Sequence, residues 1–276
     1  MILEPVSSPD FQILLQSLYE QKTPYFILGG GSNLVIADEG IPVPVLLTRS
    51  LCAIEHTASN DGNCLLSCLS GASMESVTDY CIEHELEGLE NFAGLPGTAG
   101  GAVFMNARCY EKSISDVLSR VYYLAHTAGH FTEYAYDFCV SDWAYKVSPF
   151  QKTKNPVTAA VFCVKKGDKE NVEQKCAQFL ADRKQKRHFD YPSAGSVFKN
   201  NHSFGKPSGK IIDEAGLKGL RLGGAQIAPW HGNFIINADN ASARDVRNLV
   251  LMIQETVLEK FGFNLEPEII FTQDLF

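Results

Sequence analysis

The sequence predicts a mixed α+β fold in more than one domain, distinct from the doubly wound nucleotide fold. Three observations carry this. Residues 29–33 read Gly-Gly-Gly-Ser-Asn, directly after the apolar run Tyr25-Phe26-Ile27-Leu28 and directly before Leu34-Val35-Ile36. Short apolar runs on both sides join strand to strand, whereas a doubly wound fold opens a helix at such a loop. Helical and strand-like patterns then alternate along the rest of the chain, and 276 residues suffice for two or three domains with a sizeable core.

Taken in order, Ser8-Pro9 open a first helix with Phe11, Leu14, Leu15 and Leu18 on one face. Two short strands flank the Gly29–Asn33 loop. Pro42 and Pro44 break the chain before the strand Val45-Leu46-Leu47, and 65–68 reads as another strand. A helix begins at Ser73 and carries Val77, Tyr80, Cys81 and Leu86. A second glycine cluster follows at 94–101, Gly-Leu-Pro-Gly-Thr-Ala-Gly-Gly. Residues 117–165 alternate strand-like runs, 121–125 and 157–164, with turns. Lys169 to Arg187 reads as a helix with Val172, Cys176, Phe179 and Leu180 inward, and Tyr191-Pro192 marks a boundary. In the last unit Ser208 and Gly216 bracket a short helix. A longer one starts at Ser242 with Asp245 as its capping partner, an apolar stripe from Val246 to Phe261, and Gly262 as the stop.

Bulk properties exclude several classes. Hydrophobic residues make up 45% and charged residues 20%, the balance of an ordinary globular protein. A net charge of −8 argues against bulk binding to nucleic acid or an anionic membrane, which needs a basic face, but leaves room for a small anion held by local donors. The eight cysteines form no C-x-x-C and read as reduced thiols in a cytoplasmic protein. The start, Met1-Ile2-Leu3-Glu4-Pro5, has no basic region or apolar core and does not read as a signal peptide; no apolar run has membrane-spanning length.

Several residue sets could carry chemistry, each beside a plainer alternative. Glycines leave backbone N–H groups bare, so the loops at 29–33 and 94–101 suit a ligand with a diphosphate, or are two tight turns. Ala194-Gly195-Ser196-Val197-Phe198-Lys199-Asn200 offers a hydroxyl beside a cation and an amide, or a turn serine before a strand; it lacks the G-x-S-x-G of a hydrolase elbow. Glu268 enters the strand-like 269–271 and needs a partner unless it lies on a solvated edge. Lys146 stands amid aromatics, where most lysines lay their stems along apolar surface. The basic run 183–188 complements a helix C-terminus more readily than it binds nucleic acid. No histidine pair has the spacing of a metal site, so no metal is expected.

Five ordered motifs, 29–33, 94–102 with Met105-Asn106-Ala107, 194–200, Gly223-Gly224-Ala225 and 265–268, resemble the UDP-N-acetylenolpyruvoylglucosamine reductase family over nearly the whole chain. The resemblance implies an FAD-binding fold of the vanillyl-alcohol-oxidase (PCMH) type in two subdomains, 1–72 and 73–190, with an α+β substrate-binding domain at 191–276. It implies that Gly29, Gly30, Gly31, Ser32, Asn33, Gly97, Thr98, Gly100, Gly101 and Asn106 hold non-covalent FAD. Ser196 falls on the family's proton donor and Glu268 on its catalytic glutamate; Asn200, Lys199 and His231 fall on the substrate side. NADPH is the implied reductant, the enolpyruvyl UDP-sugar the substrate, flavin N5 the hydride donor to C3, and peptidoglycan precursor synthesis the setting. Other flavin oxidoreductases of this fold, or a nucleotide-sugar-binding protein without redox chemistry, are the alternatives; those oxidoreductases often tether flavin through His or Cys near the first loop, and 29–36 has neither.

The chain departs from the family pattern twice. The pattern Tyr-Arg-x-Ser is here Tyr145-Lys146-Val147-Ser148, which keeps the cation but loses the planar fork that grips a carboxylate. The segment 107–111, Ala-Arg-Cys-Tyr-Glu, stands where the family shows more glycine. Lys146 is still expected to polarise the enolpyruvyl carboxylate. The 50 positions from Lys146 to Ser196 suit the family's short form, which lacks a loop whose tyrosine covers the substrate. The oligomeric state is left open, a monomer included.

Overall fold

The computed structural model describes residues 1–58 and 63–276. The chain divides into two compact units, Met1–Gly30 with Val43–Ala181, and Gly31–Pro42 with Asp182–Phe276. Among the described residues seven α-helices form: α1 (Ser8–Glu20), α2 (Met74–Glu83), α3 (Ala99–Phe104), α4 (Pro149–Thr153), α5 (Lys169–Gln185), α6 (Ser208–Glu214) and α7 (Ala243–Phe261).

The first unit holds a parallel three-stranded sheet, ordered Ile2–Leu3, Val45–Leu47, Phe26–Leu28. It also holds a larger antiparallel sheet, ordered His130–Asp137, Leu118–Thr127, Val157–Lys166, Asn63–Leu69, Ile54–Ala58, with Leu86–Glu87 on the flank of the third strand. Val157–Lys166 is central, and its six leading residues are all buried, which explains its continuous apolar run. Phe162, Leu66, Val121, Met74, Phe92 and Val103 form the core between this sheet and the helices α2 and α3. α1 starts one residue earlier than its proline suggested. Ser7 is the cap, its hydroxyl accepting from Asp10 N, and Pro9 sits inside the first turn. Leu86 leaves the helix predicted for it: α2 ends at Glu83, Glu85 turns left-handed (φ 59°), and Leu86 joins the sheet.

The second unit has an antiparallel sheet ordered Ser193–Ser196, Phe234–Asn237, Ala225–Ile227, Arg221–Leu222. A second, parallel pair joins Leu34–Val35 to Ile270–Phe271. α7 lays Leu249, Val250, Ile253 and Val257 into the core of this unit, each such burial contributing about 1.5–3 kcal/mol. Its ends are those read from the sequence: Ser242 and Asp245 form a reciprocal capping box and Gly262 ends it at φ 72°. Asp38 accepts from the backbone N–H of Ala243 at 2.7 Å, which ties the segment 31–42 to this helix.

The two strands flanking Gly29–Asn33 do not pair with each other. Phe26–Leu28 lies beside Val45–Leu47, and Leu34–Val35 beside Ile270–Phe271. The loop is therefore no hairpin turn; it carries the chain from one unit into the other, with Gly31 in the left-handed conformation (φ 69°) that glycine adopts without strain.

Candidate active site

In the first unit the two glycine loops pack backbone against backbone. A Cβ on Gly30 would lie 2.5 Å from Gly97 Cα, one on Gly29 2.7 Å from Thr98 Oγ1, and one on Gly100 2.7 Å from Ser70 Cβ. A side chain is thus excluded at 30 by the backbone of Gly97, crowded at 29 by the Thr98 side chain, and excluded at 100 by Ser70. Thr98 is buried, caps α3 and accepts from Gly101 N at 3.3 Å. Next to Gly100, the Ser70 hydroxyl is buried without a hydrogen-bond partner among the described residues. A bare double-loop backbone beside an orphaned hydroxyl is the kind of surface that an oxygen-rich diphosphate satisfies. Nothing in the sequence singled out Ser70, because its environment is made by a strand end meeting a distant loop.

Asn106 is buried at φ 42°, and its side chain faces the protein. Nδ2 donates to Ala144 O at 2.8 Å and Val147 O at 3.4 Å, and Oδ1 accepts from Ser115 N at 3.1 Å. The two carbonyls belong to the tight turn 144–147, closed by Ala144 N to Val147 O and Val147 N to Ala144 O. Lys146 occupies that turn at φ 59°, with its carbonyl accepting from Gln151 Nε2. The departure at 107–111 also acquires a shape. Arg108–Cys109 and Lys112–Ser113 form a hairpin whose two central residues, Tyr110 (φ 46°) and Glu111 (φ 67°), are both left-handed, a turn for which glycine is the usual residue.

In the second unit the strand ending at Ser196 carries a bulge. Ser193 faces Ile236 and Ser196 faces Phe234, so the strand holds one extra residue, and Gly195 takes φ 75° within it. Such a bulge re-aims the side chain that follows, which here is Ser196. The chain beyond it is held on both sides. Val197 N donates to Asn233 O and Val197 O accepts from Glu268 N at 2.7 Å; Lys199 N donates to Glu266 O. Asn233, buried, exchanges two bonds with Phe198: Phe198 N to Oδ1 at 2.9 Å and Nδ2 to Phe198 O at 2.8 Å. The Asn33 amide donates to Glu268 O at 3.0 Å, and Ile270 N donates to Asn33 O. Ser196, Glu268 and Asn33, far apart in sequence, thus meet on neighbouring backbone, and the side-chain amide of Asn33 supports Glu268.

The predicted substrate-side residues lie in the same unit. Lys199 pairs with Glu266 (Nζ to Oε1, 2.6 Å), and Asn200 Oδ1 accepts from Ser208 N at the start of α6. His231 accepts from Asn233 N at Nδ1, so its neutral ring carries the proton on Nε2, where it can donate. Burial lowers the pKa of His231, aided by Lys186 and Lys218. Its neighbour His188, ring centroids 5.8 Å apart, is pushed down to about 4 by burial, His231 and the adjacent cations. Among the described residues no group of three His, Cys, Asp or Glu could hold a metal, and no helix is long and apolar enough to cross a membrane.

Comparison with known proteins bears on this arrangement. Residues 185–272 match the family model described as UDP-N-acetylenolpyruvoylglucosamine reductase, C-terminal domain. The enzyme so named from Treponema denticola is 46% identical over 267 residues, covering 93% of this chain and 82% of the relative. That from Borreliella burgdorferi is 38% identical over 98% of this chain and 87% of the relative. The crystal structure of UDP-N-acetylenolpyruvylglucosamine reductase (MurB) from Thermus caldophilus aligns with a TM-score of 0.74 at 32% identity, over 98% of this chain and 90% of that one. The expected fold class is borne out: α+β, of the PCMH type, with an α+β C-terminal part. With sequence relatives that extend over almost its whole length, the chain belongs to the UDP-N-acetylenolpyruvoylglucosamine reductase family.

Proposed function

We propose that this oxidoreductase reduces UDP-N-acetylglucosamine enolpyruvate to UDP-N-acetylmuramate, with non-covalent FAD and with NADPH as reductant, in peptidoglycan precursor synthesis in the cytoplasm. In this reading 1–72 and 73–190 are the FAD-binding subdomains and 191–276 the substrate domain. The supporting observation is the meeting of Ser196 and Glu268, 72 positions apart in sequence, through the bond from Glu268 N to Val197 O.

Gly29–Asn33, Gly97, Thr98, Gly100 and Gly101 would hold the FAD diphosphate; the N–H groups of Gly100 and Gly101 are given to Ser70 O and Thr98 Oγ1, so these two glycines serve by keeping Cβ atoms out of the way. The bare paired loops and the orphaned Ser70 hydroxyl fit that group. When bound, FAD supplies the hydride that C3 of the enolpyruvyl group receives. Negative charge then develops on C2 and the adjacent carboxylate, so groups that face it are effective only in so far as they meet that charge. Lys146 is assigned the cation facing the carboxylate. Ser196 gives its proton to C2, a carbon basic enough to take it when neighbours stabilise the alkoxide. Glu268 acts beside Ser196 at the same carbon. Asn200, Lys199 and His231 bind the UDP-sugar, His231 as a neutral Nε2–H donor.

The test is anaerobic absorbance of the purified protein. It should be yellow, bleach with NADPH and recolour on addition of the enolpyruvyl sugar. A preparation that takes up no FAD, or bleaches but never recolours with that sugar, overturns the proposal.

A further inference from the structure

Resting on the role proposed for Lys146, we infer that Asn106 is the positioning residue for that lysine and not a cofactor contact. Both donors and the acceptor of its amide lie on protein partners: Ala144 O, Val147 O and Ser115 N. The first two are the carbonyls that bound the turn of Lys146. Lys146 is held left-handed there at φ 59°, a conformation costly for a residue with a Cβ and kept only where its surroundings over-determine it. A second fastening lies alongside. Ser148 is buried, and its hydroxyl donates to Phe104 O at 2.7 Å.

Phe104 ends α3, and α3 begins at Ala99, capped by Thr98 of the second glycine loop. The cation is therefore fastened to the far end of the helix that starts at the loop assigned to FAD. Asn106 itself sits at φ 42°, so two adjoining left-handed residues, neither of them glycine, are locked by one amide. A buried Asn whose amide donors are both committed to one loop, while its oxygen is anchored on Ser115 N, sets that loop's geometry. Because lysine has no planar fork to align itself on a carboxylate, its reach depends on the backbone that presents it.

The test is a double-mutant cycle on wild type, Lys146→Met, Asn106→Asp and the pair, with three readouts: FAD affinity of the apoprotein by flavin fluorescence, bleaching by NADPH, and recolouring by the enolpyruvyl sugar. Asn106→Asp keeps an acceptor for Ser115 and removes both donors. Recolouring should slow by about 10²-fold in Asn106→Asp, with little further loss when Lys146→Met is already present. FAD affinity and NADPH bleaching should stay within about 2-fold of wild type, the behaviour of a residue with no cofactor contact. A tenfold loss of FAD affinity, or losses that multiply in the pair, overturns the inference while leaving the reaction intact. Recolouring undiminished in Lys146→Met instead overturns the role of Lys146, and the inference with it. If Asn106→Asp does not fold, Ser148→Ala, which cuts the second fastening, enters the same cycle with the same two outcomes.

Discussion

Glu268 donates its backbone N–H to the carbonyl oxygen of Val197 at 2.7 Å, which sets it beside the residue that follows Ser196. The bond belongs to a short antiparallel contact in which Phe198 also faces Pro267. The two functional candidates are registered by main chain, which is held in turn by Asn233 and Asn33, with the Lys199–Glu266 ion pair alongside.

Asn233 is the first place to disturb that register. Its side chain satisfies both the N–H and the carbonyl of buried Phe198. Asn233→Ala leaves both unpaired and should destabilise the protein by about 2–4 kcal/mol. Denaturant unfolding measures the loss. In the fraction that remains folded, recolouring by the sugar should slow more than bleaching by NADPH.

Gly195 sets the direction of Ser196. An alanine at φ 75° costs about 1–2 kcal/mol or flattens the bulge. Nothing but Ser32 O, 4.0 Å away, approaches the position of the new Cβ, so crowding is not the cause. Gly195→Ala should therefore lower kcat for the sugar by at least about tenfold with unchanged FAD content, read from steady-state turnover and flavin absorbance.

His188 makes stability depend on pH. Its ring stacks on Phe234 at 4.9 Å, Nε2 has no hydrogen-bond partner among the described residues, and its pKa is pushed down from 6.5 to about 4. Below about 6.5 the unfolded chain takes up a proton that the folded protein refuses until about 4. Stability from this group is thus full above pH 6.5 and is lost as pH falls toward 4, about 2 kcal/mol in all once solvent screening is allowed for. His231, lowered in the same direction, adds to the slope. In His188→Phe the fall of Tm between pH 7 and 4 should be shallower than in wild type. An equal slope would assign the pH dependence elsewhere.

The hairpin at 110–111 holds a left-handed, non-glycine residue at Glu111. Its ion pair with Arg108 is exposed on the glutamate side, where such pairs contribute well under 1 kcal/mol. Glu111→Gly relieves the left-handed backbone and should stabilise the protein by up to about 1 kcal/mol, seen as a small rise in Tm. Tyr110 is different, since its hydroxyl donates to Phe179 O and its ring packs on Phe179 at 4.5 Å. Its replacement should destabilise.

What the sequence revealed follows the range of the forces involved. α7 was legible to the residue because capping box, apolar stripe and terminal glycine are all local signals. The strands either side of Gly29–Asn33 were legible too, but not that they belong to different sheets, since their partners Val45–Leu47 and Ile270–Phe271 are distant in sequence. The same distance hid Asn233, Ser70 and the clamp of Asn106 on the Lys146 turn: each is an ordinary polar residue until a remote backbone segment is laid against it. His130–Asp137 reads poorly as a strand because six of its eight residues are exposed and the alternation is weak. Ser196 and Glu268 stood out through family pattern, and their adjacency came only with the fold.

Separate measurement of the two halves of the reaction in Ser196→Ala distinguishes a proton donor from a residue that only shapes the site. If Ser196 is the proton donor to C2, NADPH should bleach the variant's flavin at a rate within about 2-fold of wild type, while recolouring by the enolpyruvyl sugar slows by about 10³-fold. Recolouring at the wild-type rate, or an equal slowing of both halves, would contradict it.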